Sequence, residues 1–220
     1  MTIDDGAGIR AGQQQHWTAM FAANPDMYGT EPSAAAIHAA QHFTTAGVRT
    51  VLEIGAGQGR DTMFLAAQGF DVIALDYSDE AIAALKAKAS EPRPGVVTAV
   101  SHDVRAPLPL AAESVDASYS HMLLCMALTS VEIHGLVAEL RRVLRPGGTL
   151  VYTVRHTGDP HYGTGIAHGD DMFEQGGFIV HFFSDELVKQ LARGFELAEV
   201  APFTEGELPR RLWRVTMRKC

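Results

Sequence analysis

Two cysteines, Cys125 and Cys220, are all that 220 residues offer, too few for a disulfide scaffold and in no CxxC pair that would hold zinc. Basic residues are the minority: 18 Lys and Arg face 26 Asp and Glu, a formal net charge of −8, which argues against a nucleic-acid backbone or an anionic membrane as partner. No long hydrophobic run exists, the longest being Met122 to Leu128, far short of the ~18 residues that span a bilayer. The N-terminus opens on Asp4 and Asp5 where a secretory leader would be basic, and repeats and low-complexity tracts are absent. The chain therefore reads as a soluble, unprocessed, cytoplasmic protein with free thiols, binding neither nucleic acid nor membrane. Hydrophobic residues at 46% and charged ones at 20% suit an ordinary globular core, expected over residues 1–220 as a single domain.

What is present is an alternation of two segment types. Thr50 to Ile54, Asp71 to Asp76, Val96 to Ser101, Val115 to Tyr119 and Thr149 to Val154 are short runs rich in Val, Ile, Leu and Tyr, the composition of parallel strands buried on both faces. Helical patterns lie between most of them. In Ser130 to Leu144, residues Ile133, Leu136, Val137, Leu140 and Leu144 share a stripe that Glu132, Glu139, Arg141 and Arg142 avoid, until Pro146 and Gly147-Gly148 stop the helix. Arg60 to Gln68 and Asp79 to Ala89 behave similarly, the second capped by Ser78 or Asp79. Strand and helix in turn imply right-handed crossovers, a doubly wound parallel α/β sheet, and ligand sites at the C-terminal edge of the strands. Arg211 to Met217 reads as a last, antiparallel strand reached through a link from Phe195 to Ala201. Gln13 to Ala23 and Ser33 to Ala46 read as helices of an N-terminal cap covering residues 1–47. Residues 156–180, glycine-rich and without period, read as a lid loop in which Phe173, Phe178 and Ile179 favour packing over disorder.

The sharpest local signal is Glu53-Ile54-Gly55-Ala56-Gly57-Gln58-Gly59-Arg60, a strand running through a glycine turn into a helix. Glycines let such a turn adopt positive φ and bring backbone N–H groups up to a ligand at the helix N-terminus. Glu53 ends the strand, where it can meet a cationic ligand. Asp76 follows Gly57 by 19 residues, at the end of the second strand, where a carboxylate can accept both hydroxyls of a ribose.

From Val51 to Val154 the chain resembles the core of the class I S-adenosylmethionine-dependent methyltransferases, of the small-molecule type. The residues that carry the resemblance are Glu53 to Gly59, Asp76-Tyr77-Ser78, Asp103-Val104 and the run Leu144-Arg145-Pro146-Gly147-Gly148-Thr149-Leu150. It implies a Rossmann-like, doubly wound, seven-stranded, mostly parallel sheet with an antiparallel last strand, and S-adenosyl-L-methionine as cofactor with S-adenosyl-L-homocysteine as product. Gly55, Gly57 and Gly59 would line the methionine part, with Glu53 near its ammonium or ordering the turn. Asp76 would hold the ribose, Tyr77 pack beside the adenine, Asp103 accept from the adenine amino group, and Val104 offer a backbone donor; Ser78 and Ser120 complete the cofactor set. Trp17 and Tyr28 resemble the N-terminal cap of small-molecule members, where an aromatic ring reaches the sulfonium.

Ser118-Tyr119-Ser120-His121 stands after the fourth strand where methyltransferases acting on amino groups of bases or glutamines have Asn-Pro-Pro-Tyr, so a small molecule is the expected acceptor. A hydroxyl acceptor needs a base, and His121 and His156 lie just beyond the fourth and fifth strands. Arg155 and His181 are the candidate acceptor-binding residues, Arg155 for an anionic or polar group; His161 and His168 also lie on or near the lid. Asp159, His161, His168, Asp170 and Asp171 could instead hold a divalent ion, but without fixed ligand spacing no metal is assigned. The expectation is an O-directed small-molecule methyltransferase, monomer or homodimer. Its alternatives are a thiol or chalcogen-oxyanion (tellurite-resistance-like) methyltransferase and a cofactor-binding protein without catalysis.

Overall fold

The computed structural model describes residues 5–25, 27–206 and 210–220; Asp4, of the acidic N-terminus, and Asp26, of the first interhelical link, lie outside them. Helix α1 (Asp5–Ala23) and helix α2 (Ala34–Thr45) precede an alternation of β1 (Thr50–Ile54), α3 (Arg60–Ala67), β2 (Asp71–Asp76), α4 (Asp79–Lys88), β3 (Val97–Ser101), β4 (Val115–His121), α5 (Ser130–Val143) and β5 (Leu144–Arg155). After β5 come β6 (Ile166–Gly169), β7 (Met172–Gln175), β8 (Phe178–His181), α6 (Asp185–Leu191), β9 (Phe195–Glu205) and β10 (Arg210–Lys219). The main sheet has the order β3-β2-β1-β4-β5-β10-β9, with β1 to β5 mutually parallel and β10 inserted antiparallel between β5 and β9. This is the Rossmann-like α/β sheet with an antiparallel last strand, and the strands and helices from β1 through α5 begin within a residue of their expected positions.

Alternation along the strands divides the core into two layers. Leu52 and Ile54 pack with Ile133, Leu136 and Leu140 of α5 and with Leu187 and Leu191 of α6. Val51, Val72 and Ala74 face the other way, onto Phe43 of α2, Leu65 of α3 and Ile82 and Leu85 of α4. Helix α5 starts on a capping box, in which Thr129 accepts from the Glu132 N–H while Glu132 accepts from that of Thr129. Pro146 and Gly147 do not separate helix from strand as expected. Strand β5 starts directly at Leu144, and residues 145–148 are accommodated by a register shift against β4, Val115 facing Leu144 and Ala117 facing Thr149.

Three further elements depart from expectation. The stretch expected as a lid loop over residues 156–180 builds a separate three-stranded antiparallel sheet, β6-β7-β8. Two-residue turns connect its strands, Asp170-Asp171 with φ of 54° and 55° and Gly176-Gly177 with φ of 57° and 82°. Positive φ at both central positions matches the right-handed strand twist, which is why such turns favour Gly and Asp. Helix α2 is no part of a cap: Ala35, Ala36, Ala39, Ala40 and Phe43 bury it against the sheet, leaving α1 alone beyond the strand ends. Finally, Phe195 to Ala201 is the first half of edge strand β9.

The loop after β5 is anchored by a buried ion pair. Asp159 accepts from Arg155 Nε at 3.1 Å and from the N–H groups of His161 (2.9 Å) and Arg211 (2.8 Å), joining β5, the loop and β10. Removing one partner of a buried pair leaves the other charged and desolvated, at a cost of about 3–5 kcal/mol. Asp159→Ala should therefore lower the urea midpoint by a corresponding amount; a midpoint within the error of the parent would contradict this anchoring role.

Candidate functional site

Strands β1, β2, β3 and β4 end at one edge of the sheet, and the turns beyond them enclose a cavity of about 600 Å³ beneath α1 and the β7-β8 hairpin. That volume falls within the roughly 300–1,000 Å³ range of small-molecule sites. Gly55 (φ 74°) and Gly57 (φ 52°) form its floor; a Cβ on Gly55 would stand 2.8 Å from the Leu123 Cβ, so a side chain there would fill the cradle. The Asp76 carboxylate accepts from Gly57 N–H at 2.8 Å and from Ser78 N–H at 2.9 Å, locking the turns after β1 and β2 together. Burial pushes the Asp76 carboxyl above its ordinary range, against these two donors and that of Tyr77.

Two further carboxylates lie behind the turn. Glu53 is buried on the cavity wall with the Thr62 hydroxyl 2.5 Å away, and desolvation together with the negative charge of Asp61 pushes its pKa up to about 8. Asp61 accepts from the Ser33 N–H (2.8 Å), the Ser33 hydroxyl (2.7 Å), the Tyr119 hydroxyl (2.8 Å) and Arg60 Nε (3.0 Å). Burial alone would raise Asp61, but Arg60 and the Ser33 donors hold it below the usual carboxylate range.

At the end of β4, His121 lines the same cavity. Its Nδ1 is 2.8 Å from Thr153 Oγ1, which also accepts from the Met122 N–H at 3.0 Å, and its Nε2 is 3.2 Å from a Glu205 carboxylate oxygen. A carboxylate can only accept from a neutral ring if Nε2 carries the proton, which leaves Nδ1 to accept from the Thr153 hydroxyl. The bond to His121 holds Glu205 below its ordinary pKa.

Trp17, Tyr28, Glu53, Gly55, Gly57, Asp76, Tyr77, Asp103, Val104, His121 and Arg155 all line the cavity. Trp17 stands edge-on to Phe178 at 5.0 Å, and the Arg60 guanidinium lies over one face of Tyr28 at 5.7 Å. Asp103 accepts from the Arg105 N–H and guanidinium, each at 3.0 Å.

Gly59, Ser78, Ser120, His156 and His181 do not line it. Gly59 (φ 87°) is the N-cap of α3, its would-be Cβ 2.3 Å from Leu85 Cδ1, and Ser78 caps α4 by accepting from the Ala81 N–H; both shape the turns from behind. Ser120 is fully buried. His156 follows cavity-facing Arg155 and so turns away, stacking on Trp213 at 4.4 Å and 4° while its Nδ1 accepts from the Gly158 N–H. His181 follows cavity-facing Val180, and its Nδ1 donates to the Leu128 carbonyl at 2.7 Å in the core. The donors considered for a divalent ion are dispersed among other partners: Asp159 holds Arg155, His168 pairs with Glu174, Asp170 binds Ser130, and Asp171 accepts from Tyr162. Among the described residues no group of three or more His, Cys, Asp or Glu could hold a metal ion.

Sequence reasoning missed Gln58, Asp61, Tyr119, Glu205 and Arg210. Asp61 carried a signal, an acid in the first turn of the helix leaving the glycine turn. Gln58 sits inside the motif, and its amide bonds Phe21 O, Asn24 O and Met27 N, tying the end of α1 to the turn. Glu205 and Arg210 reach the site only through pairing of β9 with β10, which no local pattern announces.

A cavity of this volume, with a glycine turn beside a second-strand acid at the strand ends, is the arrangement in which doubly wound sheets place ligands. Residues 51–148 match the family described as "Methyltransferase domain". Over that stretch the chain thus carries a methyltransferase domain on a Rossmann-like sheet. Phosphoethanolamine N-methyltransferase 1 of Triticum aestivum is 39% identical over 105 residues, 46% of this chain but only 20% of that protein, so the chain matches a small part of its relative's length. Among solved structures, the fold superposes on the 1,6-didemethyltoxoflavin-N1-methyltransferase of Burkholderia thailandensis with a TM-score of 0.75 at 20% identity, covering 100% of this chain and 92% of that one; that structure holds 1,6-didemethyltoxoflavin and S-adenosylhomocysteine. The N-methyltransferase NodS of Bradyrhizobium japonicum, solved with S-adenosylhomocysteine, gives 0.70 at 14% identity over 94% of this chain and 98% of that one. Among the described residues no helix is long and apolar enough to cross a membrane.

The raised Glu53 makes a prediction independent of any ligand. An unfolded glutamate ionises near 4.5 and folded Glu53 near 8, so unfolding releases a proton between these values. Its contribution to stability is full below about 4.5 and is lost as pH rises towards 8. Glu53→Gln, which mimics the protonated side chain, should flatten the decline of the urea midpoint between pH 5 and 8; parallel profiles for the two proteins would refute the raised pKa.

Proposed function

We propose that this protein transfers a methyl group from S-adenosyl-L-methionine to a hydroxyl of a small molecule, with His121 taking the hydroxyl proton. The supporting observation is that one cavity is lined by both the Gly55–Gly57–Asp76 cradle and the His121–Glu205 pair. S-adenosylmethionine supplies an electrophilic methyl on a sulfonium sulfur that leaves as a neutral thioether. Asp76 would accept from the ribose hydroxyls, Asp103 and the Val104 N–H would meet the adenine, and Glu53 would face the ammonium. Trp17 and Tyr28 would cover the sulfonium end. Gly59, Ser78 and Ser120 would support these contacts from outside the cavity.

In such a displacement most of the work is holding nucleophile and methyl together, dry and aligned. The roof of α1 and β8 serves that end: Gln13 Nε2 donates to Gly177 O at 2.7 Å and its Oε1 accepts from the Ile179 N–H at 3.3 Å, bridging the two elements. In the tautomer that carries its proton on Nδ1, donated to Thr153 Oγ1, Nε2 is free to take the hydroxyl proton as the methyl leaves the sulfur. Glu205, which stands 3.2 Å from Nε2 before an acceptor enters, would remain beside the ring and stabilise the imidazolium. His156 and His181 have no place in this scheme. We further assign the protein to the cytoplasm, as a monomer or homodimer without nucleic-acid or membrane partners.

A nitrogen acceptor is the second reading, favoured by the names of the wheat, Burkholderia and Bradyrhizobium proteins. Incubation with labelled donor and fractionated metabolites, followed by mass spectrometry of the labelled product, identifies the methylated atom. General-base catalysis contributes about 10²–10⁴-fold. His121→Ala should lower kcat by that factor and abolish the acid limb of the pH–rate profile while S-adenosylhomocysteine binding persists, and His156→Ala should leave the rate unchanged. A His121→Ala enzyme as fast as the parent would remove the base assignment.

A further inference from the structure

Four arginines line the cavity, and three have partners: Arg60 is held by Asp61, Arg105 by Asp103 and Arg155 by Asp159, with nitrogen to oxygen distances of 3.0, 3.0 and 3.1 Å. Arg155 was the arginine that the sequence offered as an anchor for an anionic acceptor, but its charge is neutralised where it stands, with the ring of Phe182 5.0 Å from the guanidinium. Arg210 is different. Among the described residues its guanidinium has no hydrogen-bond or ion-pair partner, and the side chain is exposed at the cavity rim.

The hairpin fixes where Arg210 points. In the β9-β10 register Arg210 stands directly opposite Glu205, and directly opposed residues of an antiparallel pair project from the same face. Glu205 reaches His121 from that face, so Arg210 flanks the proposed methyl-transfer position. Two residues further on, Leu212 projects from the same face and also lines the cavity. Met122, Met126, Phe173 and Phe182 give this end an apolar surface, beside the neutralised Arg155 and the polar side chains of His161 and Gln175. A guanidinium without a carboxylate partner, at the rim of a chamber with an apolar surface, presents the fork that carboxylates and phosphates bind in two-point fashion.

We propose that the methyl acceptor carries an anionic group, a carboxylate or phosphate, that pairs with Arg210 while its apolar body lies against Leu212, Met126 and Phe173 and its nucleophile reaches His121. This inference rests on the methyl-transfer reading and narrows its substrate class to acidic molecules with an apolar, ring-sized body.

The test is a calorimetric titration of the full chain, saturated with S-adenosylhomocysteine, with 4-hydroxybenzoate, 4-hydroxyphenyl phosphate and neutral 4-hydroxybenzamide. Charge-assisted hydrogen bonds of about 1.5–3 kcal/mol correspond to roughly ten- to hundredfold in affinity. At least one anion should bind ten- to hundredfold tighter than the amide, and the tighter of the two identifies carboxylate or phosphate as the preferred group. Arg210→Gln should erase the advantage without weakening S-adenosylhomocysteine binding, whereas Arg193→Gln, an equal change of net charge at an exposed site, should preserve it. The proposal is overturned if the amide binds as tightly as both anions, if none of the three binds, or if the advantage survives Arg210→Gln. In those cases methyl transfer itself stands; failure to bind S-adenosylhomocysteine would instead overturn both readings.

Discussion

The site depends on one hydrogen bond between neighbouring turns, from the Gly57 N–H to the Asp76 carboxylate. Parallel strands β1 and β2 bring those turns side by side, with Ile54 opposite Leu75, and the carboxylate bridges to the Ser78 N–H as well. Charge-assisted bonds of this kind are worth about 1.5–3 kcal/mol each, enough to hold a glycine turn that would otherwise sample many conformations. Three backbone donors fill three of the carboxylate's roughly four acceptor sites, so the group that fixes the cradle keeps the capacity to accept from a ribose hydroxyl. The pressure of Leu123 on Gly55 and of Leu85 on Gly59 explains why the turn after β1 is written in glycine.

The cavity has two halves of different origin. The half proposed for the cofactor is built by the turns after β1 to β3, within the residues that match the methyltransferase family. Its other half is built by Phe173 and Phe178 of the small sheet and by Glu205, Arg210 and Leu212 of the β9-β10 hairpin, all beyond that match. Similarity to known methyltransferases therefore bears on the methyl donor, while the acceptor must be argued from this chain's own side chains.

The same division governs what could be read in advance. Strands β1 and β2 were legible to the residue because buried parallel strands are continuous apolar runs bounded by glycine or polar turns, and α5 because its stripe, cap and stop signals agree. Strands β6 to β8 were not, since four residues are too few to establish a period and their two-residue turns resemble the glycine-rich stretches of a loop. Strand β9 was hidden because an exposed edge strand lacks a strong apolar alternation. Among the site residues, Asp76 and the glycines announce themselves through spacing. His121 and His156 were equivalent in sequence, each just past a strand, and only the facing of the preceding side chain separates them: Arg155 turns in, so His156 turns out. The partners of His121, Thr153 and Glu205, lie 32 and 84 residues away and meet it only through sheet order.

On the reading proposed above, this cavity receives an adenosyl sulfonium whose ammonium lies near Glu53, a carboxyl with its pKa pushed up to about 8. Calorimetric titration with S-adenosylmethionine at pH 7, in two buffers of different ionisation enthalpy, measures affinity and proton exchange together. Saturable binding with release of up to one proton, lost in Glu53→Gln, is the expected result, because a nearby cation lowers a carboxyl pKa that burial had raised to about 8. No saturable heat at millimolar S-adenosylmethionine would contradict the account at its root.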